Sequence, residues 1–312
     1  MQLIRGLHNL KRFKDIFAKG CVLTIGNFDG IHLGHRQVLQ ALSDQAQNLN
    51  LPSVVMVFEP LPIEFFAPEK APVRLMNLRE KLQAFDSTYI DYVLCVRFNA
   101  EFANLSAEQF VQQILLEDLS VKHVVIGDDF RFGKERKGDY AFLQSQGEQH
   151  GFSVTDMPTH CKGQERISST RIRAELAKPN LAVVEKLMGA PFGFNGRVIH
   201  GQKLGRTIGF PTLNINPKRI QMPVQGVFAV TVEGIADKPW PAVANLGLRP
   251  TVDGIRPSIE VHLFDWGQDL YGRHIDVTLC QFIRPEMKFN GLDELTAQIR
   301  QDAQQARKFF SI

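Results

Sequence analysis

The 312-residue chain is expected to form two domains of different class. The first is an α/β domain on a parallel sheet, and the second is a β domain followed by a terminal helix. Two observations predict this. Up to about Thr155, apolar β-branched runs alternate with segments of helical period, the pattern of a sheet covered on both faces. Beyond Pro191, strand-like runs follow one another between Gly and Pro turns, which suggests an antiparallel barrel or sandwich. The length suffices for two hydrophobic cores.

The first strand is the apolar run Cys21–Ile25. Gly26, Asn27, Asp29 and Gly30 break it with turn chemistry, and from Gly34 the pattern is helical, with Val38, Leu39, Leu42 and Ala46 on one face. Strand, glycine-rich turn and helix N-terminus follow in that order, and such a helix end presents free N–H groups suited to phosphate. His32 and His35, three apart, can both face an anion there. With 9 His and 24 Gly in the chain, H-x-G-H would arise by chance roughly 0.02 times. The bland alternative is a glycine turn with two solvated histidines.

Pro52–Phe58 reads as a second strand ending at Glu59-Pro60. Asn77 with Glu80 forms a capping-box signal for a helix through Phe85, and Ser106 with Gln109 repeats it for a helix through Leu116. Tyr89–Val96 and Val121–Ile126 are strands, and Asp139 caps a helix that stops at Gly151 before the strand Phe152–Thr155. Ligands of parallel sheets bind beyond the carboxyl ends of the strands. Phe58 lies at one such end. Asp129 and Phe130, in the loop from Gly127 to Gly138, lie at another, where aromatics, a carboxylate and bases suit a ring beside phosphates or simply a solvated loop. In Arg166–Arg173, Ser169 is the expected N-cap, Ser168 and Thr170 offer hydroxyls, and Arg171 and Arg173 offer guanidinium forks.

These segments resemble the H-x-G-H nucleotidyltransferases, and G-N-F-D-G-I-H-L-G-H with I-S-S-T-R-I-R resembles the adenylyltransferase half of bifunctional riboflavin kinase/FAD synthetases. K-M-S-K-S, the partner signature of class I aminoacyl-tRNA synthetases, is absent. The resemblance implies a Rossmann-like, doubly wound domain that transfers an adenylyl group from ATP to FMN. It implies roles for His32 and His35 at the ATP phosphates, with Gly26, Asn27, Phe28, Asp29 and Gly34 around the nucleotide. Ser168, Ser169, Thr170 and Arg171 would hold the β- and γ-phosphates, and Phe58, Asp129 and Phe130 the flavin. Asp128 departs from the apolar or aromatic residue expected before D-F-R-F-G.

Pro179-Asn180, a short apolar helix Leu181–Leu187 and Gly189 read as a boundary, giving domains 1–187 and 188–312. Strand-like runs follow at 197–200, 227–232, 241–244, 258–263 and 275–283, with a final helix Leu292–Phe309 carrying Leu295, Ile299 and Ala306 on one face. The segment from Gly196 to Asn214 gathers Gly201, Gly205, Lys203 and Arg206 before Pro211, Thr212 and Asn214. Its backbone can approach phosphate closely, or it is a hairpin with basic tips; no P-loop match exists. Glu260 alternates with apolar Ile259 and Val261, as a solvent-facing strand carboxylate does.

G-R-T-I-G-F-P-T-L-N, N-L-G-L-R-P-T-V and E-V-H-L-F-D resemble the riboflavin kinase domain over nearly its whole length, with Leu213 in place of the commoner alanine. That implies a six-stranded Greek-key barrel with Glu260 as general base and Thr212 and Asn214 on Mg²⁺ and ATP phosphate. It further implies Gly201, Lys203, Gly205, Arg206 and Pro211 around the nucleotide, and Arg284 and Phe289 near the flavin. The substrates implied are riboflavin, FMN and ATP. Neither set of site residues is expected to need a side chain from the other, and each half is long enough for its own core.

A net charge of +3 is too small to argue for nucleic acid. The four cysteines form no C-x-x-C pair, so a reducing cytoplasm without disulfides or structural zinc is expected. No apolar run approaches the ~20 residues of a membrane span. No feature fixes an oligomeric state.

Overall fold

The structure, a computed structural model, describes residues 1–158, 161–162, 165–201, 205, 208–251 and 254–312. The chain folds as two compact units, Met1–Pro72 with Lys81–Ile167, and Val73–Glu80 with Ser168–Ile312.

The first unit is built on a six-stranded sheet of β1 (Gln2–Arg5), β2 (Cys21–Ile25), β3 (Ser53–Glu59), β4 (Tyr92–Arg97), β5 (Val121–Gly127) and β6 (Ser153–Met157). Every pairing is parallel and the order is β1-β4-β3-β2-β5-β6. The chain therefore steps outward from β2 through β3 to β4, then restarts on the other side of β2 with β5 and β6. The reversal falls between β2 and β5, the point where an open parallel sheet leaves a crevice at its carboxyl edge. All five residues of β2 are buried, as a central strand covered on both faces requires. Helix α1 (Leu33–Leu49) lays Leu39, Leu42 and Ala46 into the core and stops at Asn50, whose left-handed backbone ends the helix.

Helix α2 (Leu78–Asp86) and α3 (Tyr140–His150) start where the caps predict: Asn77 and Glu80 exchange backbone–side-chain bonds of 2.8 and 3.0 Å, and Asp139 accepts from the Phe142 N–H at 2.9 Å. Two features depart from expectation. The edge strand β1 has too little apolar sequence to stand out, and the helix after Ser106 becomes a π-helix over Phe110–Asp118.

In the second unit, six strands close into a barrel: β9 (Gly193–Ile199), β10 (Leu213–Ile215), β11 (Gly226–Glu233), β12 (Trp240–Thr251), β13 (Gly254–Leu263) and β14 (His274–Arg284), with β7 (Cys161–Lys162) and β8 (Glu165–Arg166) forming a separate hairpin in the first unit. The order β10-β13-β12-β11-β14-β9 is antiparallel throughout, and β14 returns to lie beside β11, the Greek-key connection. Closure leaves no sheet edge exposed. Ile259 and Val261 are fully buried and face inward. Strand β11 is buried on its outer face too, because Val227 and Ala229 pack with Val243 and Phe264 against Ala303 and Ala306 of the terminal helix, Leu292–Phe310. That double burial is why β11 reads as an unbroken apolar run. The helix face lies closer to its C-terminal end than Leu295 and Ile299 suggest; those two are half-buried, while Asp302 is buried and takes the Arg284 fork at 2.7–3.1 Å.

Helices α4 (Ser169–Ala177) and α5 (Leu181–Met188) belong to this unit, α4 packing on α5 and α5 on β14, so the compact unit begins before the division drawn at residue 187. The α4 N-cap is Ser168, one residue earlier than expected: its backbone is extended and its Oγ accepts from the Arg171 N–H at 3.2 Å, which leaves Ser169 as the first helical residue.

Val73–Glu80, from the first half of the sequence, is tied into the second unit. Arg219, with its side chain 1% exposed, donates to both Glu80 carboxylate oxygens, to the Leu75 carbonyl at 2.7 Å and to the Arg74 carbonyl at 3.3 Å. Glu80 also accepts from the N–H groups of Asn195 at 3.0 Å and Asn77 at 2.8 Å, and the guanidinium lies 4.8 Å over the Phe194 ring. Burial pushes the Glu80 carboxyl up; Arg219 and the two N–H groups oppose the shift. Both ions are satisfied together, and removing one strands the other in an apolar site.

Glu80→Gln is therefore expected to destabilise the second unit by about 3 kcal/mol or more. Chemical denaturation should show it, with Glu80→Leu combined with Arg219→Met recovering much of the loss. A fragment starting near Pro191 lacks Glu80 and should unfold at lower denaturant than the same unit in the full chain.

Candidate active sites

In the first unit, the segment leaving β2 sits at the reversal of strand order, beside the segment leaving β5. Gly26 continues the sheet by donating to the Met56 carbonyl at 3.1 Å, Asn27 is exposed, and Phe28 and Asp29 turn into the interior. The turn is tight: Phe28 (φ 46°), Gly30 (φ 93°) and Ile31 (φ 36°) all take positive φ, strained for the two non-glycine residues. Gly26 needs its missing side chain, since a Cβ there would press on the Phe28 ring at 3.0 Å.

His32 caps α1, its Nδ1 accepting the His35 N–H at 3.3 Å. Gly34 lies in the same first turn. The two imidazoles stack with centroids 3.8 Å apart and planes 13° from parallel, and Phe28 lies 5.0 Å from His35. The H-x-G-H spacing thus makes one stacked pair at a helix N-terminus. His35 Nδ1 and Thr24 Oγ1 are buried polar atoms without a hydrogen-bond partner. Burial, then His32, then Lys81 hold the His35 pKa well below the usual histidine value, so its ring is neutral at pH 7. Lys81 was not singled out by sequence. Its side chain is buried and its ammonium donates to the Asn27 carbonyl at 2.6 Å, adding a cation at the turn. One capped-helix lysine carries no signal of this in the sequence.

At the end of β5, the Phe130 N–H closes a turn on the Gly127 carbonyl at 3.0 Å, and Phe130 stacks on Phe132 at 5.5 Å. Asp129 pairs with Arg166, both exposed. Phe58, at the end of β3, meets Phe98 and Phe102 at 5.7 and 5.5 Å, and Phe65 and Phe66 extend the group to the surface, with Phe66 65% exposed. This aromatic wall draws on three separated segments, which is why sequence reading found only Phe58.

In the second unit, Ser168, Ser169, Thr170 and Arg171 form the first turn of α4. Arg173 is tied to the Val73 carbonyl through Nε at 2.6 Å, a bracing role for a residue expected to offer its fork to phosphate.

On the barrel, Glu260 of β13 lies opposite Asn214 of β10 on one side and Asn245 of β12 on the other. Opposed residues of antiparallel strands share a face, so the carboxylate and two amides form a row on the outside, with Ile259 and Val261 inside. Asn245 is the member that sequence reading missed. Gly201 lies against Asn214, where a Cβ would strike the amide, and a Cβ at Gly205 would strike the Phe210 carbonyl. Thr212 is half-buried and Pro211 exposed just before β10. Lys203 and Arg206 lie outside the described residues. Arg284, one step along the row through Val227, is held by Asp302 and lies 5.7 Å from the Phe289 ring.

Known proteins match both halves of the chain. Residues 14–171 match the FAD synthetase family model and residues 188–310 the riboflavin kinase model. A protein from Escherichia coli (strain K12) named bifunctional riboflavin kinase/FMN adenylyltransferase is 54% identical over 312 residues, covering 100% of this chain and 99% of its own. Its Haemophilus influenzae namesake is 47% identical over 311 residues, with 100% of both chains covered. A crystal structure described as a macrolide-efflux protein from Streptococcus pneumoniae is similar with a TM-score of 0.76 and 31% identity, over 92% of this chain and 94% of that one. That description belongs to that protein; among the described residues here, no helix is long and apolar enough to cross a membrane. Matched end to end by these relatives and by both family models in order, this chain belongs to the bifunctional riboflavin kinase/FMN adenylyltransferase family.

Proposed function

We propose that this chain makes FAD from riboflavin in two ATP-dependent steps. Residues 188–312 phosphorylate riboflavin to FMN, and residues 1–187 transfer the adenylyl group of a second ATP to FMN. The observation that carries the reading is the cross-strand row of Glu260 with Asn214 and Asn245.

In the kinase step, the ribityl hydroxyl attacks the γ-phosphorus of ATP, the bond to the β-bridging oxygen breaks, and ADP leaves. The hydroxyl is neutral and must lose a proton as it attacks, which requires a base. Glu260 fills that role: it is half-buried, and its two direct cross-strand neighbours are amides, which carry no charge to offset its own. Gly201, Gly205 and Pro211, with Lys203 and Arg206, surround the ATP phosphates. Mg²⁺ suits the oxygen donors of Thr212 and Asn214, and the missing side chain at Gly201 leaves Asn214 its space. When bound, the ion would neutralise charge developing on the transferred phosphoryl group. Arg284 and Phe289 lie at the flavin end of the row.

In the adenylyl step, an FMN phosphate oxygen attacks the α-phosphorus of ATP and pyrophosphate leaves. This nucleophile is already an anion, so the work is positioning and charge stabilisation. His32 and His35 supply donors at the helix end, within the cradle of Gly26, Asn27, Phe28, Asp29 and Gly34. A triphosphate arriving beside His35 opposes the burial that keeps the ring neutral. Ser168, Ser169, Thr170 and Arg171 hold the β- and γ-phosphates, and Phe58, Asp129 and Phe130 contact the flavin. The partners are small molecules and not nucleic acid, and the compartment is the cytoplasm, where the free thiols of Cys21 and Cys95 stay reduced.

Incubation with riboflavin, ATP and Mg²⁺, resolved by chromatography, should yield FMN and then FAD. Glu260→Gln should abolish FMN formation from riboflavin while FAD formation from supplied FMN continues; riboflavin phosphorylation near the wild-type rate would make Glu260 a surface residue. His32→Ala with His35→Ala should stop the sequence at FMN, raising the adenylyl-transfer barrier by about 3 kcal/mol or more. Comparable FAD output from that variant would remove the pair from the site.

A further inference from the structure

The strand that carries Glu260 presents a second polar side chain two residues on, where side chains return to the same face. That residue is His262. Its Nδ1 lies 2.8 Å from the Pro211 carbonyl oxygen, so Nδ1 carries the proton and donates it. The ring stands edge-on to Phe210 at 5.2 Å and to Phe264 at 5.9 Å. Phe264 is itself fixed, buried in the cluster with Ala303 and Ala306 and covered by the Arg307 guanidinium at 4.5 Å, while Arg307 makes two 2.9 Å bonds to Asp265. Burial lowers the His262 pKa most strongly and Arg307 adds to this, against the Pro211 carbonyl and Asp265, which raise it. The neutral ring therefore keeps a single donor aimed at one acceptor.

Pro211 has no N–H of its own, so its carbonyl is the one backbone group by which that residue can be anchored. Just upstream, the Phe210 N–H donates to the Gly205 carbonyl at 2.7 Å. Just downstream, Leu213 opens β10, only three residues long, which pairs Asn214 with Glu260. Thr212 lies between these anchors and, among the described residues, has no strand pairing of its own.

We propose that His262 is a positioning residue of the kinase site: by holding the Pro211 carbonyl, it fixes the Thr212 hydroxyl and the Asn214 amide against Glu260. This rests on the assignment of Thr212 and Asn214 to the nucleotide. His262 acts through the Pro211 carbonyl.

The test compares His262→Phe, which keeps an aromatic ring without the donor, with His262→Asn, whose amide nitrogen takes the place of Nδ1. Measured on the full chain, His262→Phe should raise the KM for ATP and the half-saturating Mg²⁺ concentration of the riboflavin kinase reaction about three- to tenfold, the worth of one hydrogen bond. His262→Asn should return both to near wild type, and conversion of supplied FMN to FAD should be unchanged in both variants. Hydrogen–deuterium exchange without substrates should show faster exchange at Thr212–Ile215 in His262→Phe and not in His262→Asn. Wild-type KM and exchange in His262→Phe would overturn the proposal, as would an asparagine variant no better than the phenylalanine one. A wild-type chain that fails to phosphorylate riboflavin would instead overturn the kinase reading, and the exchange result would still decide whether His262 orders the Thr212 segment.

Discussion

A buried charge tolerates no missing partner, and in the second unit that constraint falls on Glu80. Its two oxygens take Arg219, Asn77 and Asn195 between them, and Arg219 spends its remaining donors on carbonyls of residues 74, 75 and 217. The consequence is topological. Eight residues that precede Ser168 by a long stretch of chain become part of the barrel unit, so its fold cannot be complete until the sequence around Glu80 has joined it. Two apolar residues of similar volume could fill the space, but they would not reach the carbonyls of the 74–75 segment. The ion pair thus fixes which segment docks as well as how firmly.

The two proposed reactions ask for opposite things from their surroundings, and the local chemistry differs accordingly. The site at the end of β2 gathers donors around a stacked histidine pair, with the buried His35 pushed toward its neutral form, and a buried lysine, in a turn bent through strained backbone. On the barrel, a carboxylate is flanked by amides that neither compete with it for protons nor neutralise it. An anionic nucleophile is served by the first arrangement and a neutral hydroxyl by the second.

Much of this was legible in the sequence because it is local. Strand alternation, the caps at Asn77, Ser106 and Asp139, and the turn at Gly26–Gly30 all arise from residues within a few positions of one another. What escaped is non-local or too short to carry a pattern. Three residues of β10 cannot show period two, and Lys81 looks like any helix lysine until Asn27 is brought to it. Glu80 is legible as a cap, a role it fulfils, while its second role depends on Arg219, 139 positions away. The aromatic wall of Phe58, Phe98 and Phe102 is assembled by strand order, which composition does not encode.

The brevity of β10 has a mechanical side. Among the described residues, the barrel closes β10 on β9 through two register pairs, Asn214 with Ile199 and Ile215 with Val198, while β12 and β13 are matched over ten. This seam is the thinnest part of the wall and the place where the cylinder opens most cheaply. Parting it would bare two strand edges at once, the surfaces that closure exists to hide. A slip of one residue would be worse than a parting: Ile215, 1% exposed, would turn outward and Asn214 would turn into the apolar lumen. The same short strand therefore stands guard over the barrel's resistance to self-association and over the alignment of its polar row.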